Sequence, residues 1–369
     1  MLSTKYRKPR IEHVFKKCMA PRSLQIFWHK LTHWEYWPLH VIYFPIYLLY
    51  GYYSIKAKSI CFFNAVNPSI KNGGLMMESK KKVYDLIPKK YYAKTLLIHS
   101  KTTSEEIKFL LKKDDLSFPL IAKPDIGLRG SAVKKIHSEK ELFDYHEKAN
   151  FDYLIQDFIP LPNEIGVFYV RYPGDTKGII TGIVFKETLT ITGDGISTVE
   201  KLLNQTPRYQ IQIEALKPKY GSMYKKVLPK DKKLNLMPYG SHSRGAKFTD
   251  FSSIITPQLT ESINKICLQI EGFHYGRLDI KYNTVEELEQ GKNLMIVELN
   301  GAKSEPTHIY DPDHSLFFAW KTLAKHMQYM FEISQVNHKS KGTPYLKFHI
   351  GILEMQAHFI QNKKIIQFQ

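Results

Sequence analysis

The sequence predicts an α+β fold preceded by an aromatic, basic helical segment, and three observations lead there. Short apolar runs bounded by Pro and Gly alternate with longer amphipathic stretches, the pattern of strands mixed with covering helices. Neighbouring runs are joined by polar or Gly-bearing loops, which suits hairpin pairing within a sheet. With 369 residues, 43% hydrophobic and 24% charged, the chain can build two or three subdomains with cores of their own and is not wholly disordered.

Taken in chain order, the first sixty residues stand apart. They hold ten Lys and Arg against Glu12 and Glu35, a net +8, together with three of the four Trp. Tyr36 to Ile55 (YWPLHVIYFPIYLLYGYYSI) carries no charged side chain and is about as long as a bilayer-crossing helix. Pro38, Pro45 and Gly51 are expected to break it into short pieces, while His40 and the tyrosines keep it amphipathic. Tyr and Trp favour the membrane–water interface, and Lys and Arg flank the run on both sides. The run therefore suits a segment that lies on, or dips into, an anionic leaflet. A buried aromatic hairpin and a true span are the alternatives.

Ser59–Val66 (SICFFNAV) reads as a strand, and Glu78–Ile87 as a helix stopped by Pro88. Leu120–Lys123 is a short strand between Pro119 and Pro124, with Val133–Ile136 as its hairpin partner. Ser138–Ala149 is a charged amphipathic helix capped by Ser138, and Leu154–Ile159, Gly166–Arg171 and Gly178–Phe185 are strands. Pro257–Glu271 has Pro in its first turn and Ile263, Ile266, Cys267 and Ile270 on one face, so it reads as a helix. Tyr275–Lys281 and Asn293–Leu299 are strands across a polar loop, and a helix over Ser315–Ile333 ends in the polar stretch Ser334–Gly342. Residues 345–369 are basic and apolar by turns and yield no assignment. Cys18, Cys61 and Cys267 match no metal spacing and read as free thiols in a reducing, cytoplasmic setting. No cleaved signal peptide is expected.

Chemistry concentrates in the last third. Asp279 lies in GRLDI, while Glu298 and Asn300 lie in VELNG, two apart on one predicted strand and so on one face. The Asp279 strand can pair alongside. Three oxygen donors converging from two strands suit magnesium, which is commonly held by a few carboxylates together with nucleotide phosphates. Arg277 shares the Asp279 face and can reach a phosphate oxygen. By itself this D…ExN pattern also fits paired exposed acids on a strand.

Upstream, Lys123 ends the strand LIAK and is followed by GLRGSAV. Gly127 and Gly130, beside Ser131, allow the backbone close to phosphate oxygens, and Lys123 and Arg129 add positive charge. No Walker-type loop occurs, and a plain hairpin turn beside a basic strand end is the alternative reading. LIQDFIP (154–160), with Glu164 after it, offers a backbone edge for an adenine ring and a carboxylate for ribose hydroxyls; alone it is an ordinary strand.

In this order the pieces resemble the ATP-grasp superfamily, from about Glu78 to Ile333. The likeness runs through ESKKK, IAKPDIGLRG, LIQDF, GDGISTVEKLL (193–203), SHSRGAKF (241–248) and RLD…ELN. The GDG-x-ST segment is similar to that of cyanophycin synthetases and related amino-acid ligases, and the set Arg277, Asp279, Glu298 and Asn300 is similar to that of D-alanine–D-alanine ligases. The resemblance implies an ATP-grasp fold, two α+β subdomains gripping ATP between antiparallel sheets. It also implies an ATP-dependent carboxylate–amine ligase that works through an acyl phosphate.

The resemblance places Lys123 on the nucleotide phosphates, with residues 127–131 (Gly127, Arg129, Gly130 and Ser131 among them) closing over them. It places Gln156, Asp157 and Phe158 at adenine and Glu164 at ribose. Asp279, Glu298 and Asn300 would bind two Mg2+ ions, with Mn2+ as the substitute, and Arg277 and Arg244 would steady the phosphoryl group. Lys186 is a weaker candidate for a second phosphate lysine and Lys80 weaker still; His242 reads as a proton relay or a loop anchor. The implied partners are ATP, a carboxylate and an amine (amino acid, peptide or lipid-linked acceptor). The alternative is a nucleotide-binding, membrane-associated protein without ligase activity.

The expected organisation is an aromatic, basic segment at 1–60, a shortened region at 61–118, an ATP-grasp lid subdomain at 119–190, a metal-binding subdomain at 191–335 and a C-terminal tail at 336–369. The net charge of +18 calls for an anionic partner. No nucleic-acid module accompanies it, so the charge is divided between ATP and an anionic membrane surface, at the inner face of the membrane, and nucleic acid is not expected.

Overall fold

The computed structural model describes residues 22–127, 130–237 and 246–368. Helices α1 (Arg22–Thr32) and α2 (Leu39–Ala57) open the described chain, followed by α3 (Lys80–Leu86). Next come β1 (Thr95–Ile98), α4 (Ser104–Lys113), β2 (Leu120–Pro124), β3 (Lys134–Ile136), α5 (Glu139–Lys148) and β4 (Tyr153–Asp157). These four strands form an antiparallel sheet in the order β1-β4-β2-β3.

The strands β5 (Asn163–Val170) and β6 (Ile179–Glu187) lead to a small module: β7 (Leu189–Thr192), α6 (Val199–Leu203), α7 (Pro207–Gln210), α8 (Ile213–Tyr220) and β8 (Lys233–Met237). After β9 (Lys247–Asp250) come α9 (Pro257–Leu268), β10 (Tyr275–Tyr282), α10 (Val285–Glu289) and β11 (Leu294–Asn300). Two long helices, α11 (Leu316–Lys341) and α12 (Phe348–Gln367), close the described chain. The larger antiparallel sheet has the order β11-β10-β5-β6-β9, and β7 pairs with β8 alone. The α+β class read from the sequence is the class the structure has.

Local chemistry explains most element starts. Ser79, Thr103, Ser138, Thr198, Thr256, Thr284 and Ser315 each accept a hydrogen bond from the backbone N–H three residues on, which satisfies a donor the helix itself leaves free. Strand alternation then divides the larger sheet. Ile165, Val167 and Tyr169 of β5 pack with Ile263, Ile266 and Cys267 of α9 on one face. On the opposite face Phe168 and Val170 meet Phe331 and Ile333 of α11, together with Phe62 and Phe63. The smaller sheet carries its own core against Ile107, Leu142 and Tyr145, closed by Ile365 of α12.

Four readings change. Within residues 36–55 the chain breaks at Pro38, which separates a 3-10 turn over Trp34–Tyr36 from α2, but not at Pro45 or Gly51: both sit inside α2, because Ile42 and Ile46 are buried and the tertiary contacts with α11 outweigh one lost backbone bond. Ser59–Val66 is no strand. It forms a buried 3-10 turn over Phe62–Ala65, held where Asn337 Nδ2 donates to the Ala65 carbonyl at 2.8 Å. The polar stretch after Ile333 continues α11 to Lys341, since Ser334 and Asn337 point inward, and Gly342 at φ 70° ends it. Residues 348–367, without an assignment from sequence, are helix α12. Cys61 and Cys267 are free and buried; Cys18 lies outside the described residues.

Candidate active site

Two paired strands set the acceptors. Asp279 of β10 stands opposite Glu298 of β11, and Arg277 opposite Asn300, so alternation puts all four side chains on one face. On the other side of β10, Gly166 of β5 is the partner of Asp279 and Glu164 that of Lys281. A Cβ on Gly166 would stand 3.0 Å from Arg277 Cδ and 3.1 Å from Asp279 Oδ1. Its absence lets those two side chains lie across the sheet.

The β10–β11 ladder slips between Asp279 and Ile280, which pair with Glu298 and Ile296, so Val297 is bulged. Its carbonyl accepts the Tyr84 hydroxyl from α3 and the Lys123 ammonium, at 3.3 Å, from β2. The bulge thus couples the two sheets.

Lys123 is buried, with Nζ 2.7 Å from the Tyr84 hydroxyl and 2.8 Å from Gln156 Oε1. Gln156 Nε2 donates in turn to Thr95 Oγ1. Burial holds the Lys123 pKa down to about 8, against the pull of Glu298 and Glu164. Lys186 contacts Glu164 Oε1 at 2.9 Å and Asp279 Oδ2 at 3.0 Å. Burial works against its charge, but Asp279 and Glu164 outweigh that and hold its pKa above the ordinary value. Arg277 Nε donates to Asp279 Oδ1 at 2.8 Å and Nη1 to the Glu305 carbonyl at 3.2 Å. Asp279 is buried, yet Arg277 and Lys186 draw its carboxyl down to about 2. Lys80 completes the set, 3.9 Å from Glu298. Its helix is fixed to the end of β2 by Asp125, which accepts from Ser79 Oγ and from the Lys81 N–H.

Lys80, Lys123, Lys186 and Arg277 therefore face Glu164, Asp279 and Glu298, with Glu305 beside Arg277, in a largely desolvated cleft between two sheets. Four cationic side chains held by fixed partners suit a polyphosphate.

The other expected residues are placed as follows. Gln156 belongs to a central strand whose backbone pairs with Thr95 and Ile121, so its side chain, not a free edge, faces Lys123. The Asp157 N–H donates to the Lys94 carbonyl, and Phe158 lies half-buried with the Lys135 ammonium 3.6 Å from its ring centre. A Cβ on Gly127 would stand 3.5 Å from Lys80 Nζ, so this loop end borders the cluster; Gly130 has φ 74°, and Ser131 follows it in the turn. Arg129, His242 and Arg244 lie outside the described residues. Tyr84, Gly166 and Glu305 were not singled out from sequence. Only Tyr84 left a local signal, at i+4 from Lys80 on the same helix face.

Among the described residues no three His, Cys, Asp or Glu side chains gather as a metal cluster. Asp279, Glu298 and Asn300 nevertheless fit a hard cation in kind. They are oxygen-bearing side chains at facing and alternate positions of one strand pair, and Asn300 Nδ2 is buried without a partner among the described residues. Turning that amide end for end sets its carbonyl oxygen in the same position.

No known family pattern matches the chain, and no curated protein is similar to it. Solved structures are similar at a distance, three of them as follows. D-alanine–D-alanine ligase from Bacillus anthracis has TM-score 0.40 and 14% identity, over 71% of this chain and 68% of that one. VanG D-Ala:D-Ser ligase from Enterococcus faecalis has 0.39 and 12%, over 69% and 61%. The bifunctional glutathione synthetase from Pasteurella multocida has 0.39 and 14%, over 71% of this chain and only 38% of that one.

Proposed function

We propose that the chain is an ATP-dependent carboxylate–amine ligase of the ATP-grasp type. The observation that carries this reading is the cleft in which Lys123, Lys186, Arg277 and Lys80 meet Asp279 and Glu298, with Asn300 beside them. Lys123 and Lys186 would hold the nucleotide phosphates, and residues 127–131 would close over them. Gln156, paired on both edges of its strand, is not free to meet adenine; Asp157 and Phe158 at the strand end would meet it, and Glu164 would turn from Lys186 to the ribose hydroxyls. Asp279, Glu298 and Asn300 would hold Mg2+, which when bound supplies charge neutralisation at the phosphoryl oxygens.

A carboxylate oxygen attacks the γ-phosphorus, the bond to the β-phosphate oxygen breaks, and ADP leaves. An amine nitrogen then attacks the acyl carbon, phosphate leaves, and the nitrogen gives up its proton. Arg277, with Arg244, would offset the repulsion between the anions in the first step and the charge on the acyl oxygen in the second. Positioning and charge do the work, and no nucleophilic Ser or Cys is required.

Peripheral contact with an anionic membrane is part of the proposal. Phe44, Leu48, Tyr52 and Ile55 of α2 are exposed while Ile42 and Ile46 anchor the helix, and Lys56 and Lys58 stand at its end. Among the described residues no helix is long and apolar enough to cross a membrane.

The test is ADP release from ATP across a panel of acid and amine pairs. Release is expected only with a matching pair, and it should drop roughly 100-fold or more in Asp279→Asn and Glu298→Gln. Unchanged turnover in both variants overturns the reading. ATP binding without release for any pair favours the nucleotide-binding alternative.

A further inference from the structure

A cavity of about 610 Å3 opens between α2, α11 and α12 and ends on the segment 302–306 that leaves β11. This is a size typical of small-molecule sites, roughly 300–1,000 Å3. Its wall is mainly hydrocarbon, with Ile46, Leu323, Met327, Met330 and Ile352 among the lining residues, and methionines let such a wall adapt to a flexible chain. Tyr47, Phe348, Met355 and Phe359 also line it yet are exposed to solvent, so its mouth is apolar as well.

Polar groups gather at the inner end. Lys303 is already paired with Glu78. The Glu305 carboxylate accepts the hydroxyls of Tyr43 and, at 3.5 Å, Tyr310, and among the described residues it forms no ion pair. Its backbone carbonyl accepts from Arg277 Nη1, so the inner end of the cavity abuts the candidate active site. An acceptor with hydroxyl donors and, among the described residues, no ion pair, at the base of an apolar cavity, is complementary to an ammonium group on a hydrocarbon chain.

We propose that this cavity binds the chain of a long-chain or lipid-linked amine, with its ammonium on Glu305, as the acceptor substrate. The assignment rests on the ligase reading and names its amine class. The ammonium gives one proton to the Glu305 carboxylate. The freed nitrogen bonds to the acyl carbon as the carbon–oxygen bond to phosphate breaks. Phosphate leaves with that electron pair, and the second N–H proton goes to water.

Dodecylamine, butylamine and dodecanoate, each below its micelle-forming concentration, are titrated against the full chain with protein fluorescence as the readout. Each methylene moved from water into the cavity tightens binding roughly fourfold, so dodecylamine should bind at least about tenfold tighter than butylamine. It should also bind tighter than dodecanoate. Met327→Trp, which fills the cavity, should cost about tenfold or more; Met355→Trp at the exposed rim serves the same purpose if the first variant does not fold. Glu305→Gln should erase the preference for dodecylamine over dodecanoate.

Equal binding of the two amines, a preference for dodecanoate, or undiminished dodecylamine binding in a folded, filled variant overturns the assignment. ADP release with short amines but no dodecylamine binding overturns this assignment and leaves the ligase reading standing. Chain-selective binding of dodecylamine with no ADP release from any pair overturns the ligase reading and leaves the cavity as a chain-binding site.

Discussion

Replacing Lys123 by Met should leave the nucleotide-free protein about as stable as the parent near neutral pH, while removing the proposed ATP-dependent activity. Burial holds the Lys123 pKa down from 10.5 to about 8. Because the folded value lies below the unfolded one, the unfolded chain binds this proton more tightly. The resulting penalty is complete below pH 8 and fades as the pH rises toward 10.5, so the contribution of Lys123 to stability increases with pH across that window. At ~1.4 kcal/mol per unit, the gap is worth roughly 3 kcal/mol.

Against this stand the contacts of the ammonium with Tyr84, Gln156 and Val297. Losing them leaves buried acceptors short of a donor, at about 1–3 kcal/mol. The two effects nearly cancel at pH 7, and only the second survives at high pH. Parent-minus-variant stability should therefore grow by about 3 kcal/mol between pH 7 and 10.5. Urea unfolding of both proteins at pH 7, 8, 9 and 10 measures it. Subtraction removes the contribution of Lys303, whose pKa burial also lowers to about 8, and of the tyrosines. A pH-independent difference, or a variant several kcal/mol less stable at pH 7, refutes the reasoning.

Other expectations follow from the same geometry. Asn67→Ala should cost about 2–4 kcal/mol in urea unfolding, because the buried Asn67 side chain donates to the Gly73 and Tyr275 carbonyls and accepts from the His274 and Tyr275 N–H groups; a loss under 1 kcal/mol by the same assay would mean that water replaces those bonds. Gly166→Ala should lower ADP release about tenfold and stability by about 1–3 kcal/mol, since its Cβ would press Val184 as well as Arg277 and Asp279; parental turnover and melting temperature would show that the sheet yields freely there. Combining Phe44→Ser, Leu48→Ser and Ile55→Ser should reduce sedimentation with anionic vesicles while keeping the melting temperature, because all three side chains are exposed. Undiminished sedimentation would move the membrane contact elsewhere. Deleting residues 1–58 is a poorer test, since it strips Ile46 and Ala57 from the cores they share with α11, and the buried Ile42 with them.

What the sequence by itself determined is local. A Ser or Thr before each capped helix and the Gly after α11 act within one turn, and the alternation that sets Glu298 and Asn300 on one face follows from covalent geometry. The aromatic, basic character of the N-terminal sixty residues was equally legible, as was the order of the Lys123, Asp279 and Glu298 segments.

What tertiary structure decided is how segments far apart exclude water together. Lys123 and Val297 are 174 residues apart, and their contact depends on a one-residue bulge for which no side-chain pattern in β11 speaks. Pro45 stays inside a helix and SICFFNAV turns rather than extends because α11 offers each a buried surface worth more than its local preference. The cavity between α2, α11 and α12 arises in the same way, from α2 and the consecutive helices α11 and α12 far from it in the chain, whose apolar faces meet without filling the space. Period and capping are settled within a few bonds; bulges, closed faces and a desolvated ammonium depend on which surfaces displace water from one another.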